Sequence, residues 1–307
     1  MKVSVVIPCY NRSAFISRAI DTVKAQTHSD WEILVIDDGS DDLSETRSVV
    51  EGFRDPRIRL YALGENVGQT AATNVGMKLA SGEFIALLDS DDVWDPRKLE
   101  LQLELFLEVN ESKAVVFPQS IIKTNRDGPV RETVMPDLPP VGRESVMDYL
   151  FCRRGFIQSS GLFFSRSLIE NVSMRDGLRR HTDYDFLIAL EQYGCRFCLV
   201  AEPLVVVNWL DVNLRKGARD MSASFEFLEH NARAFSCAAH TTFVLRQIIL
   251  PLLAGRSYFK QALRGFRTLH PIALGLSGYL SLLSVLLFKD ERLLVKAAEL
   301  KKYFCRS

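Results

Sequence analysis

The first hundred residues alternate between short unbroken apolar runs and segments in which apolar residues recur every three or four positions. Four runs are bounded by turn-forming residues, as buried strands are, at residues 3–7, 32–36, 57–61 and 83–88. The helical spacing predicts helices at residues 13–26 with Ser13 as the N-cap, from after residue 40 to about 52, and at 68–82. Strands and helices that alternate through short loops predict an α/β fold, with a parallel sheet covered by helices.

Beyond residue 100 the pattern is less regular. Strands are predicted at residues 113–119, 161–165, 196–200 and 204–208, and a helix at 182–193. Residues 125–142 contain four prolines and two glycines without periodicity, so we expect a surface loop over the ligand-binding edge there.

Composition places the chain among ordinary globular proteins. Of its 307 residues, 47% are hydrophobic and 25% are charged. Basic and acidic residues number 38 each, and this balance argues against a nucleic-acid-binding protein. Cys195 and Cys198 face opposite sides of a predicted strand, so neither a metal site nor a disulfide is expected from this pair. The N-terminus lacks a secretory signal pattern, which predicts a cytoplasmic location.

The charge is unevenly distributed, because residues 241–307 carry 11 basic and 3 acidic residues. Residues 272–288 are uncharged, yet this run is shorter than the roughly 20 residues that a spanning helix needs. Apolar residues then recur at helical spacing beside lysines, at Leu293, Ala297, Leu300 and Phe304. A basic amphipathic segment favours an anionic surface, so we expect peripheral association with the cytoplasmic face of the inner membrane. A helical cap on the body, an oligomer interface and a membrane span stay open as alternatives.

The candidate chemistry lies at the carboxyl ends of the predicted strands, where ligands bind in open α/β sheets. The Asp-Ser-Asp stretch at residues 89–91 offers two hard oxygen ligands suited to Mg²⁺ or Mn²⁺. In the Asp-Asp-Gly-Ser stretch at residues 37–40, an aspartate can accept hydrogen bonds from a base or a ribose. Turns and helix caps also use such residues, and Asp92 and Asp95 are expected to be caps of this kind.

Two common nucleotide-binding motifs are absent. The first turn, at residues 8–13, contains no glycine, which excludes a GxGxxG fingerprint and argues against a dinucleotide oxidoreductase. No GxxxxGK[ST] loop occurs either, so the chain is not a P-loop NTPase. A divalent cation at residues 89–91 would instead let an acidic edge hold a diphosphate ligand.

Four stretches stand out together: VSVVIPCYNR at residues 3–12, EILVIDDGSDD at 32–42, NVGQTAATNVG at 66–76 and ASGEFIALLDSDD at 80–92. In order, spacing and position at strand ends they resemble the family 2 inverting glycosyltransferases of GT-A fold. The resemblance is strong over about the first hundred residues and extends weakly to about residue 210. It implies a mostly parallel, Rossmann-like sheet flanked by helices, a nucleotide-diphosphate-sugar donor and a divalent metal, Mn²⁺ or Mg²⁺.

The resemblance also assigns roles to individual residues. It places the donor nucleotide among Pro8, Tyr10, Asn11, Asp38 and Asn66, with Asp38 on the base. It places Asp89 on the ribose and metal side and Asp91 on the metal. One position departs from the pattern, because Thr73 stands where the family often has an arginine. A cationic contact with the donor is therefore missing, which leaves the identity of the nucleotide open.

A later stretch, HTDYDFLIAL at residues 181–190, is similar to the family's Glu-Asp-Tyr-Asp-Leu segment and selects Asp183 as the catalytic base. The base would take the proton from an acceptor hydroxyl as that oxygen attacks the anomeric carbon. We expect Thr182 to cap this helix with Asp185 as its partner, which leaves Asp183 free to face the site. The alternative is that Asp183 only helps to cap the helix. Residues 158–161 are a lower-ranked candidate for the acceptor side, and Asp211 for a further metal ligand.

These features predict a metal-dependent, membrane-peripheral, inverting glycosyltransferase of the hexosyltransferase type. It would transfer a sugar from a nucleotide-diphosphate sugar, expected to be a UDP-sugar, to a saccharide or lipid-linked glycan in cell-surface polysaccharide synthesis. The catalytic domain is expected at residues 1–215, with a nucleotide-sugar half at 1–110 and an acceptor half at 111–215, before a basic, amphipathic helical region at 216–307. A sugar-phosphate nucleotidyltransferase and a non-catalytic glycan- or partner-binding module on the same fold are the alternatives.

Overall fold

A computed structural model of the protein describes residues 1–125, 129–142, 144–210 and 221–249. The predicted features of the tail, at residues 272–288 and 293–304, lie outside the described residues, and so does Asp211. Within the described part of the chain, no helix is both long enough and apolar enough to cross a bilayer.

The N-terminal half forms the parallel part of one sheet, as its apolar runs predict. Its strands are β1 (Val3–Cys9), β2 (Trp31–Asp37), β3 (Ile58–Ala62) and β4 (Phe84–Leu87), in the spatial order β3-β2-β1-β4. The helices between them are α1 (Ser13–Lys24), α2 (Leu43–Gly52) and α3 (Gln69–Leu79). All of β2 and nearly all of β1 are buried, which explains why these strands are continuous apolar runs. Because the strands run parallel, the turns after β1, β2 and β4 lie at the same edge.

The second half of the sheet is mixed. The later elements are β5 (Val93–Trp94), α4 (Lys98–Val109), β6 (Ala114–Thr124), β7 (Arg131–Met135), α5 (Val146–Cys152), β8 (Phe163–Ser165), α6 (Thr182–Gln192), β9 (Arg196–Trp209), α7 (Ser222–His230) and α8 (Cys237–Phe243). Strand β8 lies antiparallel between β4 and β6, and β6 pairs in parallel with β9. Strands β5 and β7 add antiparallel to β9 and β6. The sheet is therefore parallel through its first four strands and mixed as a whole.

Two expectations for this half are wrong. The strands predicted at 196–200 and 204–208 are one strand, β9, whose register against β6 shifts where Pro203 enters the pairing. Proline offers no N–H to the ladder, so the sequence looks interrupted there. The expected loop at 125–142 contains β7, which pairs with β6. Four of the five residues of β7 are exposed, and a strand that buries neither face leaves no alternating pattern.

The start of α1 is stabilised from a distance. Ser13 is the first residue of the helix and not its cap, since the N-cap is Arg12 and makes no side-chain cap hydrogen bond. The N–H of Ser13 instead donates to Oδ2 of Asp42, at 2.9 Å. A carboxylate from the turn before α2 therefore satisfies a free N–H group at the start of α1.

The start of α6 also differs from the expectation. Thr182 is the first helical residue, and the N-cap is His181, with φ of 61° and no side-chain cap hydrogen bond. Asp185 forms an ion pair with Arg175, at 2.9 Å. The prediction that Thr182 is the N-cap is therefore wrong, although the helix itself begins where the sequence indicates.

The described residues form two compact units. The sheet and its helices make up the first, whose described residues lie within 1–140 and 156–210. The second contains Val141–Gly155 together with α7 and α8. Its core is aromatic, with ring centroids 5.3 to 6.2 Å apart among Phe151, Phe227, Phe235 and Phe243. The predicted domain boundaries at residues 110 and 215 stay predictions.

Candidate functional site

The turn after β1 interlocks with the turn after β2. Asn11 has φ of 50°, and its side-chain oxygen accepts a hydrogen bond from the N–H of Asp41 at 2.8 Å. Its own N–H donates to the hydroxyl of Ser40 at 2.9 Å. Pro8 is the last residue but one of β1, and Tyr10 is 46% exposed. The polar groups of Asn11 thus hold the turn together, whereas the ring of Tyr10 is open to a ligand.

Asp38 is buried and holds the segment that precedes α3. Its Oδ1 accepts a hydrogen bond from the N–H of Val67 at 2.7 Å, and its Oδ2 from the N–H of Gly68 at 3.0 Å. Gly39 lies against the same segment, with φ of +71°, and a Cβ there would lie 2.6 Å from the backbone nitrogen of Asn66. The side chain of Asn66 is exposed. Asp38 and Asn66 are therefore brought together, and Asp38 has a structural task that the sequence does not indicate.

Three side-chain donors hold the carboxylate of Asp89. Its Oδ1 accepts a hydrogen bond from Nε2 of Gln69 at 3.1 Å. Its Oδ2 accepts from Nε2 of Gln158 at 2.7 Å and from the hydroxyl of Ser159 at 3.1 Å. The carboxylate is therefore fixed on both sides, by α3 and by the turn before β8.

Four aspartates set the electrostatics of this edge. Burial is the largest cause that raises the pKa of Asp89 well above its ordinary value, and the negative charges of Asp92, Asp183 and Asp91 raise it further. Crowded carboxylates of this kind favour a bound cation, because a positive charge relieves their repulsion.

A metal at this edge would need ligands from the substrate as well. No set of three or more His, Cys, Asp or Glu side chains surrounds a single metal position within residues 1–125, 129–142, 144–210 and 221–249. Magnesium, however, is commonly held by one or two carboxylates together with substrate phosphates. The hard oxygens of Asp89 and Asp91 therefore fit a cation that binds together with a diphosphate.

The acidic stretch after β4 is fixed through its backbone and through Asp92. The carbonyl of Asp91 accepts hydrogen bonds from the guanidinium of Arg18 and the side-chain amide of Asn208, both at 2.8 Å. The carboxylate of Asp92 is buried and accepts from the hydroxyl of Ser160 at 2.7 Å and from the N–H of Asn208 at 3.0 Å. Burial raises the pKa of Asp92 to about 6. The expectation that Asp92 caps α4 is wrong, because its carboxylate points inward.

Asp95 does support the start of α4. Its Oδ1 accepts a hydrogen bond from the N–H of Arg97 at 2.9 Å, and Arg97 is the N-cap of the helix. Its carbonyl accepts a further bond from the N–H of Lys98 at 3.1 Å. The expectation that Asp95 caps the helix is therefore wrong, because Arg97 occupies the N-cap and Asp95 lies two residues before it.

The residues that organise these acids come from the turn at residues 158–161, which is only a lower-ranked candidate in the sequence analysis. Gln158 donates to Asp92, at 3.2 Å, as well as to Asp89. The hydroxyl of Ser160 accepts a hydrogen bond from the N–H of Asp89 at 2.9 Å. Glutamine and serine in a turn form no distinctive pattern, so only the fold reveals this role.

Asp183 lies in the first turn of α6 and lines the same pocket as Ser159. Burial raises the pKa of Asp183 to about 6, and the hydroxyl and backbone N–H of Ser159 act in the opposite direction. A carboxylate with this pKa is ionised at neutral pH and more basic than an exposed aspartate, as a general base should be.

A small pocket opens at this edge. Among the predicted site residues, Pro8, Asp89 and Asp183 line it. The other lining residues are Gln69, Thr70, Thr73, Leu87, Ser159, Met174 and Thr182, so no lining residue is basic. The structure thus brings the candidate base and the first aspartate of the metal motif together, whereas Tyr10, Asn11, Asp38, Asn66 and Asp91 lie outside the lining.

The sequence matches known glycosyltransferases. Residues 4–173 match the model of the family described as Glycosyl transferase family 2. The chain is 32% identical to the amylovoran biosynthesis glycosyltransferase AmsB of Erwinia amylovora over 207 residues, which cover 66% of this chain and 67% of AmsB. It is 46% identical over 110 residues to the UDP-Glc:alpha-D-GlcNAc-diphosphoundecaprenol beta-1,3-glucosyltransferase WfgD of Escherichia coli. That match covers 36% of this chain and only 43% of WfgD.

The fold matches solved structures as well. A crystal structure of S. aureus TarS in complex with UDP-GlcNAc gives a TM-score of 0.61 at 18% identity, covering 100% of this chain and 91% of that chain. A TarS structure whose description names no ligand gives a TM-score of 0.60 at 17% identity, covering 94% of this chain and 92% of that chain. At such low identity the likeness shows the fold alone, and it confirms the predicted GT-A architecture.

Proposed function

The chain belongs to glycosyl transferase family 2, and we propose that it transfers a sugar, with inversion at the anomeric carbon, from a UDP-sugar to a lipid-linked saccharide. The observation that carries this proposal is the placement of Asp89 and Asp183 around one pocket. A donor-side acid and a base must flank the same space if an acceptor hydroxyl is to displace a diphosphate in one step.

The names of related proteins support the donor, the acceptor and the setting. WfgD is named for UDP-glucose and for a diphosphoundecaprenol-linked acceptor, and TarS has been crystallised with UDP-GlcNAc. AmsB is named for the biosynthesis of amylovoran, and involvement in polysaccharide biosynthesis fits this chain as well. A lipid-linked acceptor would place the reaction at the cytoplasmic face of the membrane, where the basic tail would assist.

The donor would lie along the turns after β1, β2 and β4. Tyr10 offers an exposed ring, and Pro8 and Asn66 border the same edge. Asp38 would act mainly by shaping the segment before α3, because both of its oxygens accept backbone hydrogen bonds. Asp89 and Asp91 would hold Mn²⁺ or Mg²⁺, which when bound neutralises charge on the leaving diphosphate.

Asp183 would accept the proton of the acceptor hydroxyl. Its pKa of about 6 keeps it ionised at neutral pH. The acceptor oxygen would attack from the side of Asp183 while the diphosphate leaves on the side of Asp89, and a single displacement of this geometry inverts the anomeric configuration.

Transfer by the purified protein tests this proposal. UDP-glucose and UDP-GlcNAc would be offered with Mn²⁺ and a saccharide linked by diphosphate to a short polyprenol. We expect release of UDP and a product of inverted configuration by NMR. Pyrophosphate release from UTP and a sugar phosphate would indicate a nucleotidyltransferase instead. Binding of nucleotide sugars without turnover of any donor and acceptor pair would favour a binding module.

A further inference from the structure

Ser159 lies between the two acids that have different roles in the proposed function. Its hydroxyl donates to Oδ2 of Asp89 at 3.1 Å, and the same hydroxyl lowers the pKa of Asp183. Ser159 is only 5% exposed, and it lines the same pocket as both acids. A serine hydroxyl carries one proton, so it can donate to only one of the two carboxylates at a time.

The backbone of the turn at residues 158–161 is held by hydrogen bonds to its carbonyl groups. The hydroxyl of Ser159 can still rotate about its Cα–Cβ bond. Nε1 of Trp94 donates to the carbonyl of Ser160 at 2.8 Å, and Nε2 of Gln102 donates to the carbonyl of Gly161 at 2.8 Å. Lys98 is fully buried behind them, donates to Oε1 of Gln102 at 2.6 Å, and lies 3.7 Å from the ring centroid of Trp94. A buried polar network of this kind holds a turn in one position.

The two carboxylates depend on Ser159 unequally. Asp89 has further donors, since Gln69 and Gln158 bond to its two oxygens. In the described part of the chain, the hydrogen-bonding groups that lower the pKa of Asp183 both belong to Ser159. Loss of the hydroxyl would therefore leave Asp89 largely held and would affect Asp183 more.

We propose that Ser159 is a positioning residue that couples occupancy of the donor site to the orientation of the base. Its hydroxyl donates to Asp89 in the donor-free site, and it turns to Asp183 once the oxygens of Asp89 are engaged by the donor complex. The base is then oriented only in a site that already holds the donor. This inference rests on the proposed function, in which Asp183 is the base.

Kinetics and nucleotide binding of Ser159→Ala test the inference. We expect kcat to fall by about tenfold to a hundredfold, the effect of one lost hydrogen bond to a charged group. The donor KM and the calorimetric affinity for UDP with Mn²⁺ should stay close to those of the wild type. Ser159→Thr, which keeps the hydroxyl, should restore kcat. Ser165→Ala is the matched control, because the hydroxyl of Ser165 bonds to Ser167.

A double-mutant cycle with Asp183→Asn separates the possible failures. If Ser159 acts through Asp183, Ser159→Ala should cause no further loss in the Asp183→Asn background. An equal loss in both backgrounds would overturn the inference, as would loss of nucleotide binding in Ser159→Ala. If Ser159→Ala keeps the wild-type kcat and Asp183→Asn is inactive, the inference is overturned but the proposed function is not. Full activity of Asp183→Asn would instead remove the base that the proposed function assigns.

Discussion

Nε2 of Gln69 lies 3.1 Å from Oδ1 of Asp89, and this contact joins the start of α3 to the turn after β4. Gln69 is the first residue of α3, and the residue before it, Gly68, donates its N–H to Asp38 at 3.0 Å. The start of α3 therefore binds Asp38 on one side and Asp89 on the other. A change at either acid is expected to affect the other through this helix.

The substitution Asp38→Asn tests the structural task of Asp38. An amide group would replace one of the two acceptor oxygens and would face a backbone N–H, so stability should fall by about 1–3 kcal/mol. UDP binding should weaken as well, because the segment at Val67 and Gly68 loses its anchor. Urea unfolding and UDP titration measure the two effects, with the exposed Asp21→Asn as control. If UDP binding weakens while stability is unchanged, Asp38 acts only by contacting the uracil base of the nucleotide.

The substitutions Asp89→Asn and Asp91→Asn test the cation site. Each removes a negative oxygen from a potential metal ligand, so the increase in UDP affinity caused by Mn²⁺ should shrink by about tenfold or more. Calorimetry with and without EDTA measures this increase. If Mn²⁺ increases UDP affinity as much in both variants as in the wild type, the cation does not bind at Asp89 and Asp91.

Asp183 should produce an acid limb in the pH profile. Burial raises its pKa to about 6, and a general base works only when it is ionised. The value of kcat/KM, which reports the pKa values of the free enzyme, should therefore be constant above this pKa and fall about tenfold for each pH unit below it. Steady-state rates between pH 5 and 8 would show the limb, and the residual rate of Asp183→Asn should lack it. The same limb in that variant would assign the titration to another group.

Glu32 should make stability depend on pH at the opposite end of the sheet. Burial would raise its pKa, but hydrogen bonds from Ser4, Ser81 and Lys2 lower it to about 2. The stability that the ionised Glu32 contributes is thus fully present above its ordinary pKa of 4.5 and is lost as the pH falls towards 2. We expect Glu32→Gln to lower stability by about 3 kcal/mol at pH 7. Urea unfolding at pH 7 and pH 3 checks this, and an equal loss at both values would contradict the ionic origin.

The sequence predicts those parts of the fold that have a local pattern. β1 and β2 are buried on both faces, so their apolar runs identify them, and the acidic stretch at residues 89–91 is recognisable because it follows such a run. β7 buries neither face and has no such pattern. The inward orientation of Asp92 depends on Ser160, which is 68 residues away in sequence. Neither spacing nor propensity encodes a contact of that range.

The position of the turn at residues 158–161 in the chain has a consequence for biosynthesis. Both side chains that bond to Oδ2 of Asp89 belong to this turn, about 70 residues after the aspartate itself. The acidic stretch at residues 89–91 is therefore synthesised before its partners at residues 158 and 159. A nascent polypeptide ending at residue 150 would thus carry Asp89 and Asp91 without the groups that organise them. The pocket is therefore complete only once Asp183 has been synthesised, and a product that ends before the turn should be inert.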